Sequence, residues 1–225
     1  FWPLDPLPTD CPNTRIMTFG YDSVVTAVNQ NDIFAHAQSL RRELARKRRD
    51  CTERPIIFVA HSLGGMSLLA VLRVSGQGSA PLDEKDIYLS TFATLFLGTP
   101  FRGSSAVEWA LIADSFVKMI GIGTNSKVLK ELKLDTGVLN ILSSEFRECV
   151  KQRAINVRIV PEYSSKLDDD TIAQPLNYNH MEMCRYATRD DEGYRIVGDE
   201  IKYWVGKASE FHGHYGRGTV LGSGD

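Results

Sequence analysis

The sequence lacks the features that mark membrane-spanning, nucleic-acid-binding and disulfide-stabilised proteins. No apolar run reaches the roughly 18 residues that a membrane-spanning helix needs, and a net charge of −2 gives no reason to expect nucleic acid as a partner. The 4 cysteines are widely spaced without a CxxC pair, which favours free thiols and a reducing, cytoplasmic location. An initiator methionine and a signal-like start are also absent, so we expect a processed chain or a fragment.

What remains is the composition of an ordinary globular domain. The chain has 225 residues, of which 43% are hydrophobic and 24% charged. This length can bury one sizeable core, and α/β folds of this size commonly stay undivided. We therefore predict a single domain over residues 1–210 and a flexible glycine-rich tail over residues 211–225.

The most informative segment surrounds Ser62. Residues 56–60 are consecutively apolar and predict a strand that is buried on both faces, as in a parallel sheet. A sharp turn follows at the serine, and the small residues Gly64 and Gly65 let a helix begin almost without a loop. This strand–turn–helix pattern is typical of a nucleophile elbow. The backbone N–H of Leu63, directly after the serine, is then expected to form part of an oxyanion hole.

Strands and helices alternate along the rest of the chain. Strands predicted at residues 14–19, 91–97 and 155–160, with helical segments between them, indicate an α/β fold. We expect a mostly parallel central sheet with helices on both faces.

A reactive serine needs a base, which must come from the chain's 5 histidines. His36 lies on a predicted helix, and His212 and His214 lie in the tail. His61 directly precedes the serine, and we expect its side chain to point away from it. His180 remains, and it completes the chain order serine, acid, histidine.

The acid should follow the strand that ends near residue 160. The candidates there are Glu162 and the run from Asp168 to Asp170, most of which we expect to be a solvated loop.

Four stretches resemble the α/β-hydrolase superfamily: residues 18–22 (TFGYD), 58–65 (FVAHSLGG), 96–104 (FLGTPFRGS) and 179–186 (NHMEMCRY). More narrowly, the chain is similar to the lipase-like serine hydrolase domains of fungal ankyrin-repeat and NB-ARC receptor-type proteins. Those domains are relatives of serine-active-site mitochondrial phospholipid-remodelling proteins and of GPI inositol-deacylases.

The resemblance implies an α/β-hydrolase fold with a triad of Ser62, His180 and Glu162. Asp168 stays the alternative acid, because the family's glutamate often stands one residue later than Glu162. The implied activity is hydrolysis of carboxylic esters, including small-molecule esters and lipid acyl esters, without a cofactor. The sequence also offers no metal site, since His180 and Cys184 have no second pair at ligand spacing.

The resemblance further implies a helical cap over about residues 105–153, where the α/β-hydrolase fold carries its insertion. Five apolar residues of this range are available to line an acyl pocket: Trp109, Leu111, Phe116, Met119 and Ile120.

The chain departs from the family in two places, and an alternative function stays open. A second oxyanion donor normally comes from a His-Gly loop, and no His-Gly pair precedes Ser62. Phe101 also stands where relatives usually have histidine. The alternative is a low-activity or non-catalytic signalling domain, of α/β-hydrolase fold, within a larger receptor-type protein.

Overall fold

The computed structural model of the chain describes residues 2–20, 30–99, 101, 136–160, 180 and 182–211. Three strands lie in this part of the chain: β1 (Ile56–His61), β2 (Thr91–Leu97) and β3 (Asn156–Val160). The helices described there are α1 (Leu7–Asp10), α2 (Gln30–Arg48), α3 (Leu63–Ser75), α4 (Leu82–Ser90), α5 (Thr136–Arg153), α6 (Glu192–Ala208) and a 3-10 helix over Glu182–Cys184.

The three strands form one parallel sheet with β2 in its centre. Because all three run in the same direction, their carboxyl ends meet at one edge. There His61 of β1 pairs with Leu97 of β2, and Leu97 pairs with Val160 of β3. This is the edge at which open α/β sheets commonly bind ligands.

Alternate residues of β2 point to opposite faces of the sheet and build two cores. Phe96 packs on one face with apolar residues of α2, α3, α4 and α5. Ala93, Leu95 and Leu97 pack on the other face with apolar residues of α1 and α6. All four side chains are at most 1% exposed, as expected for a strand that helices cover on both sides. The predicted α/β class, with a parallel sheet between helices, is confirmed.

Helix α3 connects the sheet to the site. It follows β1 after a single residue and contacts both α2 and α5. Its side chains at Met66, Leu68, Leu69 and Leu72 are at most 1% exposed, so its position beneath the sheet's carboxyl edge is fixed by packing on several sides.

One predicted strand is wrong. Residues 14–20 contain no strand, and the three-stranded sheet does not include them. Met17 and Phe19 are 46% and 38% exposed, so the apolar run that suggested a buried strand does not enter either core. A short apolar run becomes a strand only where a sheet edge and a core accept it.

The C-terminal part of the range predicted as a cap forms helix α5. Helix α5 covers Thr136–Arg153, and its buried residues Leu142 and Phe146 join the core that contains Phe96 of the sheet. The Phe146 ring meets the Phe96 ring edge to face, with centroids 5.4 Å apart. This helix therefore belongs to the layer on one face of the sheet. The rest of the predicted cap range, residues 105–135, lies outside the described residues, as does the tail from residue 212. The cap over about residues 105–153 stays a prediction.

Candidate active site

Ser62 lies in the turn between β1 and α3, at the carboxyl edge of the sheet. Its backbone has φ 54° and ψ −131°, a conformation that residues other than glycine rarely adopt. Such a conformation costs of order 1–3 kcal/mol and persists only where the surroundings hold it. A strained turn between a strand and a helix is the geometry in which a nucleophile elbow exposes a serine hydroxyl.

Three hydrogen bonds to the backbone of Ser62 hold this turn. The Ser62 N–H donates to the carbonyl of Leu97 at 2.9 Å. The Ser62 carbonyl accepts from the N–H of Gly65 at 3.0 Å and from the hydroxyl of Thr99 at 3.1 Å. Because Leu97 ends the central strand and Thr99 follows two residues later, the end of β2 fixes the serine backbone on both sides.

His180 reaches this turn from a segment 118 residues later in the chain. Its Nε2 lies 2.8 Å from the Oγ of Ser62, which is a hydrogen-bond distance. The two side chains are only 2% and 6% exposed, respectively. The structure thus brings together the serine and the histidine that the sequence analysis singled out.

Gly98 leaves room for the His180 ring. It has φ +54°, and a Cβ added to it would lie 3.1 Å from the His180 Nδ1 and 2.6 Å from the Sδ of Met183. A side chain at residue 98 would therefore press on the imidazole and on the methionine beneath it. The glycine is required here by both its backbone conformation and the close approach.

Burial changes the protonation of His180. It lowers the pKa of the imidazole from 6.5 to about 4, because an apolar environment disfavours the charged form. At neutral pH the ring is therefore uncharged. A neutral imidazole has one nitrogen that can accept a proton, and the short contact with the hydroxyl of Ser62 suits Nε2 to that role.

Leu63, the predicted oxyanion donor, is the first residue of α3. The N–H groups in the first turn of a helix have no carbonyl one turn earlier to accept them. They also lie at the positive end of the helix dipole, which in α3 is summed over 13 residues. This position suits the Leu63 N–H to stabilising negative charge that develops next to Ser62.

His61 does not behave as the sequence analysis predicted. Its Nε2 lies 2.8 Å from the backbone carbonyl oxygen of His180, and the two ring centroids are 4.9 Å apart. The side chain therefore faces the other histidine instead of pointing away from the site. Adjacency to the serine was the only sequence signal, and it did not indicate the side on which the ring would lie.

Phe101, noted in the sequence analysis as a departure from the family, lies in the core. It is 3% exposed and meets Phe96 edge to face, with ring centroids 5.1 Å apart.

The remaining predicted site residues lie outside the described residues. They are the acid Glu162 with its alternative Asp168, and the pocket residues Trp109, Leu111, Phe116, Met119 and Ile120. Their roles stay predictions. Within the described ranges, no group of three or more His, Cys, Asp or Glu side chains could hold a metal ion.

Comparison with known proteins gives distant relatives. Protein SERAC1 of Danio rerio is 26% identical over 217 residues, which cover 86% of this chain and 32% of that protein. Protein SERAC1 of Homo sapiens is 24% identical over 212 residues, which cover 84% of this chain and 31% of that protein. The chain thus spans about a third of the length of these curated relatives. No protein-family model matches the chain, and no solved structure matches it.

The helices described for this chain include none that is both long enough and apolar enough to cross a membrane.

Proposed function

We propose that the chain is a serine hydrolase domain of the α/β-hydrolase type that cleaves carboxylic esters through an acyl-enzyme on Ser62. The observation that carries the proposal is the 2.8 Å contact between Ser62 Oγ and His180 Nε2 at a buried, positive-φ turn. A serine alone is a weak nucleophile, and a neutral imidazole at this distance is the group that activates it.

The reaction would proceed in two halves. Ser62 Oγ attacks the ester carbonyl while its proton passes to His180 Nε2, and the N–H of Leu63 stabilises the oxyanion. His180 then returns the proton to the leaving alcohol as the carbon–oxygen bond breaks. In the second half, His180 takes a proton from water, the resulting hydroxide attacks the acyl carbonyl, and the carboxylic acid leaves as Ser62 regains its proton.

A carboxylate on the far side of the imidazole completes the proposal. We assign this role to Glu162, with Asp168 as the alternative, because both follow β3 closely. Such a carboxylate would hold the ring in the tautomer that leaves Nε2 unprotonated, and it would stabilise the imidazolium that forms during the reaction.

The acyl group is assigned to a pocket of apolar residues from the cap range, including Trp109, Leu111 and Phe116. Burial of an acyl chain contributes about 0.8 kcal/mol per methylene, which corresponds to about fourfold in kcat/KM. Esters with longer acyl chains, lipid esters among them, should therefore be better substrates until the pocket is full. We also propose that the chain is related to the serine hydrolase domains of fungal receptor-type proteins and to GPI inositol-deacylases.

The test is an acyl-length series of p-nitrophenyl esters on three proteins. Wild type should hydrolyse them with kcat/KM rising over the first few carbons, and Ser62→Ala should lose the activity. The matched control is Ser75→Ala. That serine ends the same helix, is fully buried, and its hydroxyl has no hydrogen-bond partner among the described residues.

The alternative, a non-catalytic signalling domain, predicts no turnover that depends on Ser62. Equal rates for wild type and Ser62→Ala on every ester would reject the hydrolase. A wild-type rate that Ser75→Ala retains and Ser62→Ala loses would reject the alternative.

A further inference from the structure

The two neighbouring residues His61 and Ser62 contact two different parts of His180. The serine hydroxyl meets the imidazole Nε2 of His180 at 2.8 Å. The imidazole Nε2 of His61 meets the backbone carbonyl oxygen of His180, also at 2.8 Å. Because a carbonyl oxygen only accepts, Nε2 of His61 must carry a hydrogen and donate it.

We propose that His61 is a positioning residue whose donated hydrogen bond holds the backbone of His180, so that the His180 ring stays within reach of Ser62. The importance of this bond for catalysis rests on the proposed hydrolase function, whereas the placement of His180 can be tested without it.

Strand β1 fixes the position of His61, which makes the bond to the carbonyl of His180. His61 is the last residue of β1 and pairs with Leu97 of the central strand, so its backbone is fixed by the sheet. Ser62 is fixed by the hydrogen bond from its N–H to the same Leu97. Two adjacent, rigid residues therefore set both the backbone position of His180 and the distance from its ring to the serine.

The packing contact described for His180 acts on its ring. Gly98 leaves room for that ring, since a Cβ added there would lie 3.1 Å from the imidazole Nδ1. The bond from His61 restrains the main chain, and a shift of about 1 Å in a reacting group can cost about 10²-fold in rate.

The two roles open to His61 make different predictions for substitution. If the residue only packs, a phenylalanine ring of similar size should replace it. If it holds His180 through its donated hydrogen, phenylalanine should fail, and glutamine should restore function because its amide N–H extends about as far from the backbone.

The experiment compares wild type, His61→Phe and His61→Gln as the full chain. It measures the second-order rate constant for modification of Ser62 by a fluorophosphonate, the thermal midpoint, and the distance from Ser62 Oγ to His180 Nε2 in crystal structures. We expect about 10²-fold slower modification of His61→Phe, a longer distance between the two atoms, and recovery of most of the rate in His61→Gln.

Three results would overturn the proposal. They are modification of His61→Phe at the wild-type rate, an equal loss in both variants, and an unchanged distance in the His61→Phe crystal. If wild type itself is not modified, the hydrolase function fails and the crystal distances alone decide the placement of His180.

A measurement on wild type decides the case in which His61→Phe does not fold. Long-range nitrogen–proton NMR spectra assign the tautomer of each histidine ring. A hydrogen on Nε2 of His61 that exchanges slowly with water supports the proposal. A His61 ring with its hydrogen on Nδ1 alone contradicts it.

Discussion

The hydroxyl of Thr99 donates to the carbonyl of Ser62 at 3.1 Å, and this bond requires that residue 65 have no side chain. A Cβ added to Gly65 would lie 2.8 Å from the Thr99 Cβ and closer still to the two branches of its side chain. Rotation of Thr99 cannot relieve a contact with its own Cβ, so the backbone would have to move. The loop after β2 and the first turn of α3 are therefore fitted to each other at the serine.

Gly65→Ala should disturb the site, whereas Gly64→Ala should not. Overpacking of this kind costs typically about 1–3 kcal/mol, and the displaced Thr99 would release the Ser62 carbonyl. A Cβ on Gly64 meets no described atom within 4 Å, which makes it the matched control one residue away. Urea unfolding and ester kinetics check both variants. Equal effects of the two substitutions on stability and activity would contradict the claim that the close approach of residue 65 to Thr99 requires a glycine.

The pH dependence of the reaction should reflect the buried imidazole. As the proposed base, His180 would act only when neutral, so kcat/KM should fall when the pH drops below its pKa. Burial lowers that pKa from 6.5 to about 4, and we expect the acidic limb of kcat/KM to lie below 6.5. The profile is measured on a soluble ester between pH 3 and pH 8. A limb centred at or above 6.5 would show that a neighbouring negative charge, such as the proposed carboxylate, outweighs the effect of burial.

Substitution of the two candidate acids should separate them. Glu162→Gln should lower kcat by about 10⁴-fold if its carboxylate orients His180, because an amide favours the wrong tautomer. Asp168→Asn should then retain most of the activity. Asp169→Asn is the matched control, because it removes one negative charge from the same run of aspartates without changing either candidate acid. The reverse result, with the loss at Asp168, would move the acid to the alternative and leave the roles of Ser62 and His180 unchanged.

A buried ion pair away from the site should matter for stability alone. Arg48 and Asp86 lie 3.2 Å apart with 5% of each side chain exposed, and Arg48 also donates to the carbonyls of Thr52 and Arg54. Asp86→Asn should lower the free energy of unfolding by about 3 kcal/mol, since it leaves a buried charge without its partner. Urea denaturation measures this loss, and kcat should not change.

The control for that pair is the double variant Arg48→Met/Asp86→Leu. Replacing both charges with apolar groups often restores stability, because no unpaired charge remains. A double variant as unstable as Asp86→Asn would show that hydrogen bonds to the carbonyls, and not the charge pair, hold this turn. Glu43→Gln, which breaks an exposed pair with Arg46, should change the unfolding midpoint far less.

The buried parts of the fold were predictable because their sequence signals are local. The runs that form β1, β2 and β3 are short, apolar and bounded by turns, so their positions follow from the sequence within about one residue. Ser62 was identified in the same way, from the small residues that permit a strand to turn directly into a helix. His180 followed from chain order and from the small number of histidines.

The errors concern features that depend on tertiary neighbours. The apolar residues at 14–19 have strand character but do not join the sheet. Helix α4 went unpredicted, although Pro81 before it and Asp83 and Glu84 in its first turn are helix-start signals. The contact of His61 with the carbonyl of His180 joins residues 119 positions apart, and no local pattern encodes it.

The central claim is that Ser62 is a covalent nucleophile, and active-site labelling tests it most directly. Purified wild type, Ser62→Ala and Ser75→Ala are treated with a fluorophosphonate, and mass spectrometry locates the modified residue. The account predicts stoichiometric modification of wild type and Ser75→Ala at Ser62 alone, and none in Ser62→Ala. Labelling that persists unchanged in Ser62→Ala, or that maps to another residue of the wild-type chain, would contradict it.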